Sequence, residues 1–259
     1  MILSRHNSLY ILPLFTLYTS VDGVYNDILS IEGLNALIFN DPYAKLCFTA
    51  MLASRCCLGR IHQESCHTFE KKVTYIDLDT TFSAYVRARL LLKQSTIATT
   101  ETSISNPLII EDIHKNIKIY LPIEGNFESI LNEVIDSMSE SCIVIFDSVN
   151  SFYNLYYKKI NIESGFGLSN VNHLLSIFLM LLVKHGVTLQ IPILATSMIR
   201  YKKSYHWIQS PSSNRLLRLK SVVKLYVEMI NENDLSVHII SHPSRPREIV
   251  IFQNQGINL

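Results

Sequence analysis

Four short apolar runs, Ala36–Phe39, Val73–Ile76, Cys142–Phe146 and Ile191–Ala195, recur along the chain without the in-out alternation of a half-exposed strand. Runs of this length suit parallel strands covered on both faces. Between them the period changes to that of a helix. Phe127, Ile130, Leu131, Val134, Ile135 and Met138 recur at offsets of three and four, forming the single apolar stripe of a helix that lies on a sheet. The segment Val171–Lys184 is apolar nearly all round, which predicts a deeply buried helix ending near Gly186. Alternating strands and helices imply an α/β fold with a mainly parallel, doubly wound sheet.

The last part of the chain changes character. Val222–Ile230, Val237–Ser241 and Glu248–Gln253 read as three strands joined by the polar turns Asn231-Glu232-Asn233-Asp234 and Pro243-Ser244-Arg245-Pro246. They predict an antiparallel C-terminal extension of the sheet. The Ser- and Thr-rich segment Gln94–Asn106 reads as a mobile surface loop. No internal repeat or linker divides the chain, so residues 1–259 are expected to form one domain, long enough at 48% hydrophobic residues to bury a sizeable core.

Composition narrows the setting. A formal net charge of +1 means that any nucleic-acid surface is a local patch. Five cysteines without regular spacing argue against a secreted disulfide framework and for a reducing compartment. The run Leu9–Tyr18 contains Pro13 and lacks a small-residue cleavage site after it, so it reads as a strand and not a signal core. The apolar stretch Ile177–Val183 is too short to span a bilayer. A soluble protein without membrane partners is expected, placed in the cytoplasm with the nucleoid, or in the nucleus of a eukaryotic source. Cys56, Cys57, His62, Cys66 and His67 cluster in sequence, but adjacent cysteines and an adjacent Cys-His pair do not match a tetrahedral zinc clip, and no metal is expected there. Ser148 has no glycine-flanked elbow or paired base to make it a nucleophile.

The segment Phe39–Leu46, FNDPYAKL, stands where a phosphate-binding loop would join a strand to a helix-like stretch beginning at Cys47. A GxxxxGK[ST] loop needs glycines to let backbone N–H groups wrap phosphates, a lysine for the outer phosphates and a hydroxyl for magnesium. Only Lys45 remains. Phe39 and Ala44 take the glycine positions, Leu46 the hydroxyl position, and Pro42 removes a backbone donor. Around it, TSVDGVYNDILSIEGLNALIF at Thr19–Phe39, YIDLDTTF at Tyr75–Phe82, CIVIFDS at Cys142–Ser148, ILATSM at Ile193–Met198 and the closing SHPSRPREIVIFQNQGI follow one another in order. In that order and spacing the chain resembles, over nearly its whole length, the RadA/RecA-type recombinases and their KaiC-like relatives.

The resemblance implies a RecA-like fold of the P-loop NTPase type, and it implies roles for three residues of a vestigial nucleotide site. Lys45 matches the phosphate lysine, Asp79 the water-activating glutamate one methylene shorter, and Asp147 the magnesium-holding acid of the Walker B strand. Met198 stands where a glutamine would sense the terminal phosphate. With the cradle, the hydroxyl and the sensor missing, ATP hydrolysis is not expected, no cofactor is required, and at most weak ATP–magnesium binding remains. Asp147 then reads as a strand-end acid that bonds nearby backbone donors. No helical N-terminal domain and no FxxA-type polymerisation anchor is found, which argues against a self-assembling filament.

One basic stretch stands out. Arg200–Lys224 holds seven Lys or Arg and no Asp or Glu, and its first part interleaves Arg200, Lys202, Lys203 and Arg215 with Tyr201, Tyr205, His206 and Trp207, the only tryptophan. Cations beside rings suit phosphate neutralisation with base stacking. The resemblance places this stretch in a loop that faces DNA, and a second such loop at Tyr153–Gly167 carries Lys158 and Lys159. The expectation is a non-catalytic paralog that binds single- or double-stranded DNA and docks on a RadA-like recombinase or another paralog. The alternative is an ATPase-inactive scaffold subunit of a hetero-oligomer, with Tyr43 and Leu46 as contact residues.

Overall fold

The computed structural model describes residues 28–58, 72–96, 115–156, 167–203, 207–211, 217, 221–231 and 234–253, with the backbone alone at 55, 57–58, 89–96, 200–203, 207–211 and 253. The strands are β1 (Leu34–Phe39), β2 (Lys72–Asp77), β3 (Ile117–Tyr120), β4 (Ser141–Asp147), β5 (Ile193–Lys203), β6 (Trp207–Pro211), β7 (Ser221–Met229), β8 (Asp234–Ser241) and β9 (Glu248–Gln253). Their order is β3-β2-β4-β5-β1-β7-β8-β9, with β6 paired to β5 off this path. Pairs from β3 to β7 are parallel, and β7-β8-β9 continue as an antiparallel extension. The strands expected at Ala36–Phe39, Val73–Ile76, Cys142–Phe146 and Ile191–Ala195 are present, the one expected at Leu9–Tyr18 lies outside the described residues, and the C-terminal extension forms as its alternation predicts.

The helices are α1 (Pro42–Leu58), α2 (Thr81–Thr96), α3 (Phe127–Asp136), α4 (Val149–Leu155) and α5 (Leu168–Leu189). They cover the sheet on both faces, and the strands divide their residues between the two cores accordingly. Leu37, Phe39, Ile143 and Ile145 join Phe48 of α1 and Phe82 of α2. Leu34, Ala36, Val144 and Phe146 join Phe127, Phe152, Leu175 and Phe178 from α3, α4 and α5. Because a strand alternates its side chains, continuous apolar runs supply both cores at once. In the second core Phe127 meets Phe152 and Phe178 at centroid distances of 5.3 and 4.9 Å, tilted or edge-on as ring quadrupoles favour.

Four differences from the sequence reading have physical causes. The helix after β1 starts at Pro42, five residues before Cys47, because Asp41 caps it: the Tyr43 N–H donates to Asp41 Oδ1 at 2.9 Å, and proline is favourable in the first helical turn. Helix α5 runs past Gly186 to Leu189, and the turn at its end falls on Gln190, with φ 55°. Gly186 serves close packing instead, since a Cβ there would lie 2.7 Å from Ile193 Cγ1. Strand β3 was not foreseen, being four residues long and only partly buried at the sheet edge. The basic stretch expected in a loop is strand at Arg200–Lys203 and Trp207–Pro211, where β5 pairs antiparallel with β6. Gln94–Thr96 belong to α2, and the rest of the expected Ser/Thr loop lies outside the described residues.

Helix α5, at 22 residues, is long and apolar enough to cross a membrane by composition, but Val171, Leu175, Leu179 and Leu182 pack into the core. The apolar stretch is therefore longer than Ile177–Val183 suggested, and its buried stripe belongs to the sheet.

Thr80, at the turn into α2, has φ 63° while its carbonyl accepts the Ala84 N–H at 3.1 Å. A β-branched residue there costs about 1–2 kcal/mol, and glycine gives back about 0.5–1 kcal/mol in chain entropy. Thr80→Gly should therefore raise stability by up to about 1 kcal/mol. Thermal unfolding checks this, and a lowered Tm would contradict it.

Candidate functional site

Parallel strands β2 and β4 are paired so that Asp77 stands beside Asp147 at their C-terminal ends. This brings two acids together at the sheet edge where open α/β folds place their sites. A third, Asp79, follows on the turn into α2. The three carboxylates have oxygens within 4.8 Å of one another. Such a group is stable only with a cation among it.

Lys45 supplies that cation. Since only Asn40 and Asp41 separate β1 from α1, Lys45 lies in the first turn of the helix, and its backbone N–H donates to the Asp41 carbonyl at 3.2 Å. Its Nζ donates to Asp147 Oδ2 at 2.8 Å, Asp79 Oδ2 at 2.9 Å and Thr81 Oγ1 at 2.9 Å. An ammonium has three donors, and these three acceptors take them all. Only 1% of the Lys45 side chain is exposed, against 22% for Asp79 and none for Asp147. Burial alone would lower the Lys45 pKa, but the carboxylates of Asp147 and Asp79 outweigh it and hold the ammonium above its ordinary value.

Neighbouring groups complete the shell. Tyr75 from β2 donates its hydroxyl to Asp147 Oδ2 at 2.6 Å, and its ring stacks on Phe82 at 3.9 Å. Thr196 from β5 donates to Asp147 Oδ1. Both Asp147 oxygens are thus bonded to side chains, although burial pushes its carboxyl upward against the pull of Lys45. Burial also acts to raise the Asp79 pKa, yet Lys45 and two hydrogen bonds from Thr81 bring it below the usual value. Burial pushes Tyr75 well above the phenolic range, helped by the adjacent Asp147 carboxylate.

Asp77 is the exception. Its Oδ2 accepts the Ser83 N–H at 2.7 Å, while its buried Oδ1 has no partner among the described residues. Burial, with Asp147 and Asp79 adding repulsion, pushes its pKa up to about 6. Asp77, Asp79 and Asp147 are the residues that could hold a metal among those described, and the Lys45 ammonium already sits on two of them.

The three residues expected at a vestigial nucleotide site, Lys45, Asp79 and Asp147, are brought together as an ion network joining α1, β2, β4 and the turn into α2. Asp147 bonds side chains, not the backbone donors expected of a strand-end acid. Tyr75, Thr81, Thr196 and Asp77 were not singled out from sequence; the apolar run Val73–Ile76 placed Tyr75 on a strand and Asp77 just after it without showing what faced them. Met198 is half-buried, and its N–H donates to Asn150 Oδ1 at 2.8 Å. Tyr43 and Leu46 pack partly against the core.

Of the basic stretch, Arg200, Lys202, Lys203 and Trp207 fall on the β5–β6 ribbon, where the register sets Lys203 opposite Trp207 and Arg200 opposite Ser210. Tyr205, Arg215, Lys158 and Lys159 lie outside the described residues, as do His62, Cys66 and His67.

No family model matches the chain, and no curated protein does. Among solved structures it is similar to a RadB recombinase, with a TM-score of 0.57 and 16% identity over 87% of this chain and 88% of that one. Together with the strand order, this likeness makes the fold RecA-like.

Lys45→Ala leaves the buried Asp147 carboxylate and the half-buried Asp79 without their cation, a loss of about 3–5 kcal/mol. Urea denaturation without nucleotide should show it, and the double variant Lys45→Met/Asp147→Asn should cost less than the sum of its singles. Stability unchanged in Lys45→Ala would remove the ion pair from the account. Asp77 makes stability depend on pH in the carboxylate range. A carboxyl raised above its unfolded value stabilises the protonated fold, so its contribution falls as pH rises from the ordinary carboxylate range through about 6. Asp77→Asn should be more stable than the parent above that range and converge on it in acid, which denaturation at the two extremes measures.

Proposed function

We propose that this chain is a non-catalytic RadA/RecA-like paralog that binds DNA as an accessory factor in homologous recombination or repair, docking on a recombinase or another paralog. The observation that carries the non-catalytic half is the Lys45 ammonium, whose three donors are spent on Asp79, Thr81 and Asp147. Phosphoryl transfer needs that lysine on the outer phosphates, and it needs a cradle and a magnesium hydroxyl with it. Here Leu46 stands at the hydroxyl position, and the two-residue turn leaves no length for a cradle. The N-terminus of α1, the natural seat for an anion, is capped by the carboxylate of Asp41. A nucleotide would have to displace a negative group and break a buried ion network.

The DNA half rests on the ribbon. It leaves the C-terminal edge of the sheet with Arg200, Lys202, Lys203 and Trp207 on it, in a chain whose charge is otherwise balanced. Affinity drawn from phosphate neutralisation is steeply salt-dependent. The fold likeness to a RadB recombinase supports the recombination setting, and the chain would act beside DNA in the cytoplasm or nucleus.

Titration of the protein with DNA over a range of salt tests the reading. Replacing Lys202 and Lys203 together with Ala should weaken binding and reduce the salt slope by about 2, as two lost phosphate contacts require. Unchanged binding removes the ribbon from the account, and magnesium-dependent ATP turnover abolished by Lys45→Ala overturns the non-catalytic assignment.

A further inference from the structure

Helix α5 carries a single charge: of its 22 residues only Lys184 is an Asp, Glu, Lys or Arg. Its inner face fills the core, yet Ile177 and Leu181 are 40% and 37% exposed, with Leu174 half-buried beside them. At about 100° per residue these three fall within about 60° of arc, at the three-and-four spacing of a helix-packing seam.

The stripe borders α3. Phe178, about 40° round the helix from Leu174, meets Phe127 of α3 at 4.9 Å. Glu133 of α3 turns the other way, to Lys118 at 2.9 Å and Tyr120 at 3.1 Å on β3. The opposite flank of α3 therefore runs along the stripe, with Ile135 half-buried and Glu128, Asn132 and Asp136 exposed in a row above it.

Charge selects what this surface accepts. Five acids lie between Glu124 and Glu140, and no Lys or Arg occurs from Ile119 to Tyr157. Such a surface repels phosphates and attracts cations. It suits a basic protein segment and not nucleic acid.

Size and symmetry narrow the occupant. A 22-residue helix offers a strip about 33 Å long and about 10 Å wide, roughly 330 Å², against the ~800 Å² each partner gives to a standard interface. One helix laid along it fills it. A second copy of this chain does not match: Lys184 continues the spacing of the stripe, so a parallel pair sets it against its own copy, and an antiparallel pair sets the α3 acids against each other.

We propose that α3 and α5 together dock a short amphipathic helix of a partner protein, its apolar residues meeting Leu174, Ile177 and Leu181 and its Lys or Arg residues meeting Glu128 and Asp136. The inference rests on the docking half of the reading above and adds to it the surface and the chemistry of the partner segment.

Fluorescence anisotropy of the full chain with two labelled synthetic peptides tests this. One is a helix of about 15 residues with Leu at offsets of three and four and Lys along one flank; its twin has Glu for every Lys. The basic peptide should bind at least about tenfold more tightly than the acidic one. Ile177→Gln with Leu181→Gln should weaken it by about tenfold, and Glu128→Lys with Asp136→Lys should reverse the preference. The second pair changes exposed positions only, so it decides the matter where thermal melts show the first pair unfolded. Neither peptide bound, or both bound alike, overturns the inference, as does light scattering that shows a dimer made monomeric by Leu181→Gln. A chain that binds DNA and neither peptide loses this inference and keeps the DNA half of the reading. A chain that binds the basic peptide and no DNA loses that half and keeps the docking surface.

Discussion

The structure depends on one buried ammonium among three carboxylates. Parallel pairing ends β2 and β4 side by side at Asp77 and Asp147, and the turn into α2 adds Asp79, so negative charge accumulates at the centre of the sheet edge. Like charges in a low-dielectric interior cannot all stay ionised without a counter-ion. Lys45 provides it from within the chain, and it does so from the first turn of α1 because Asp41 and Pro42 begin that helix immediately after β1. The ion network thus fixes α1 against β2 and β4.

Other features follow from that constraint. Thr81 can bond both Lys45 and Asp79 only if the chain turns sharply before α2, and Thr80 carries the positive φ of that turn. Tyr75 and Thr196 each add a hydrogen bond to Asp147, one to Oδ2 and one to Oδ1. The network is satisfied at every oxygen described except Asp77 Oδ1, whose lack of a partner accompanies its raised pKa. A fully bonded polar cluster rigidifies its surroundings, whereas a partly bonded one would leave the sheet edge adaptable.

Much of the fold was legible because its strands are buried on both sides. Apolar runs such as Cys142–Phe146 have no exposed face to confuse the period, and the stripe from Phe127 to Met138 fits no other element than a helix on a sheet. Edge and junction elements were less legible. Strand β3 is short and half-exposed, so its apolar signal is thin. The resemblance placed the basic stretch after Ala195 in a loop, yet its backbone pairs with itself over Ile199–Lys203 and Trp207–Pro211 once β5 has been launched from the sheet.

Residue order by itself determined the fold class, the loss of glycines and hydroxyl from the segment Phe39–Leu46, and the concentration of cations after Ala195. These are properties of local pattern, and local pattern is written in sequence. That Lys45 turns to Asp147 and Asp79, that both oxygens of Asp147 are occupied, and that Arg200 lies opposite Ser210 while Lys203 lies opposite Trp207 were decided only by tertiary structure. Each depends on strand register and on contacts between residues as many as 102 positions apart. Sequence spacing carries no record of such distances until the sheet has brought them together.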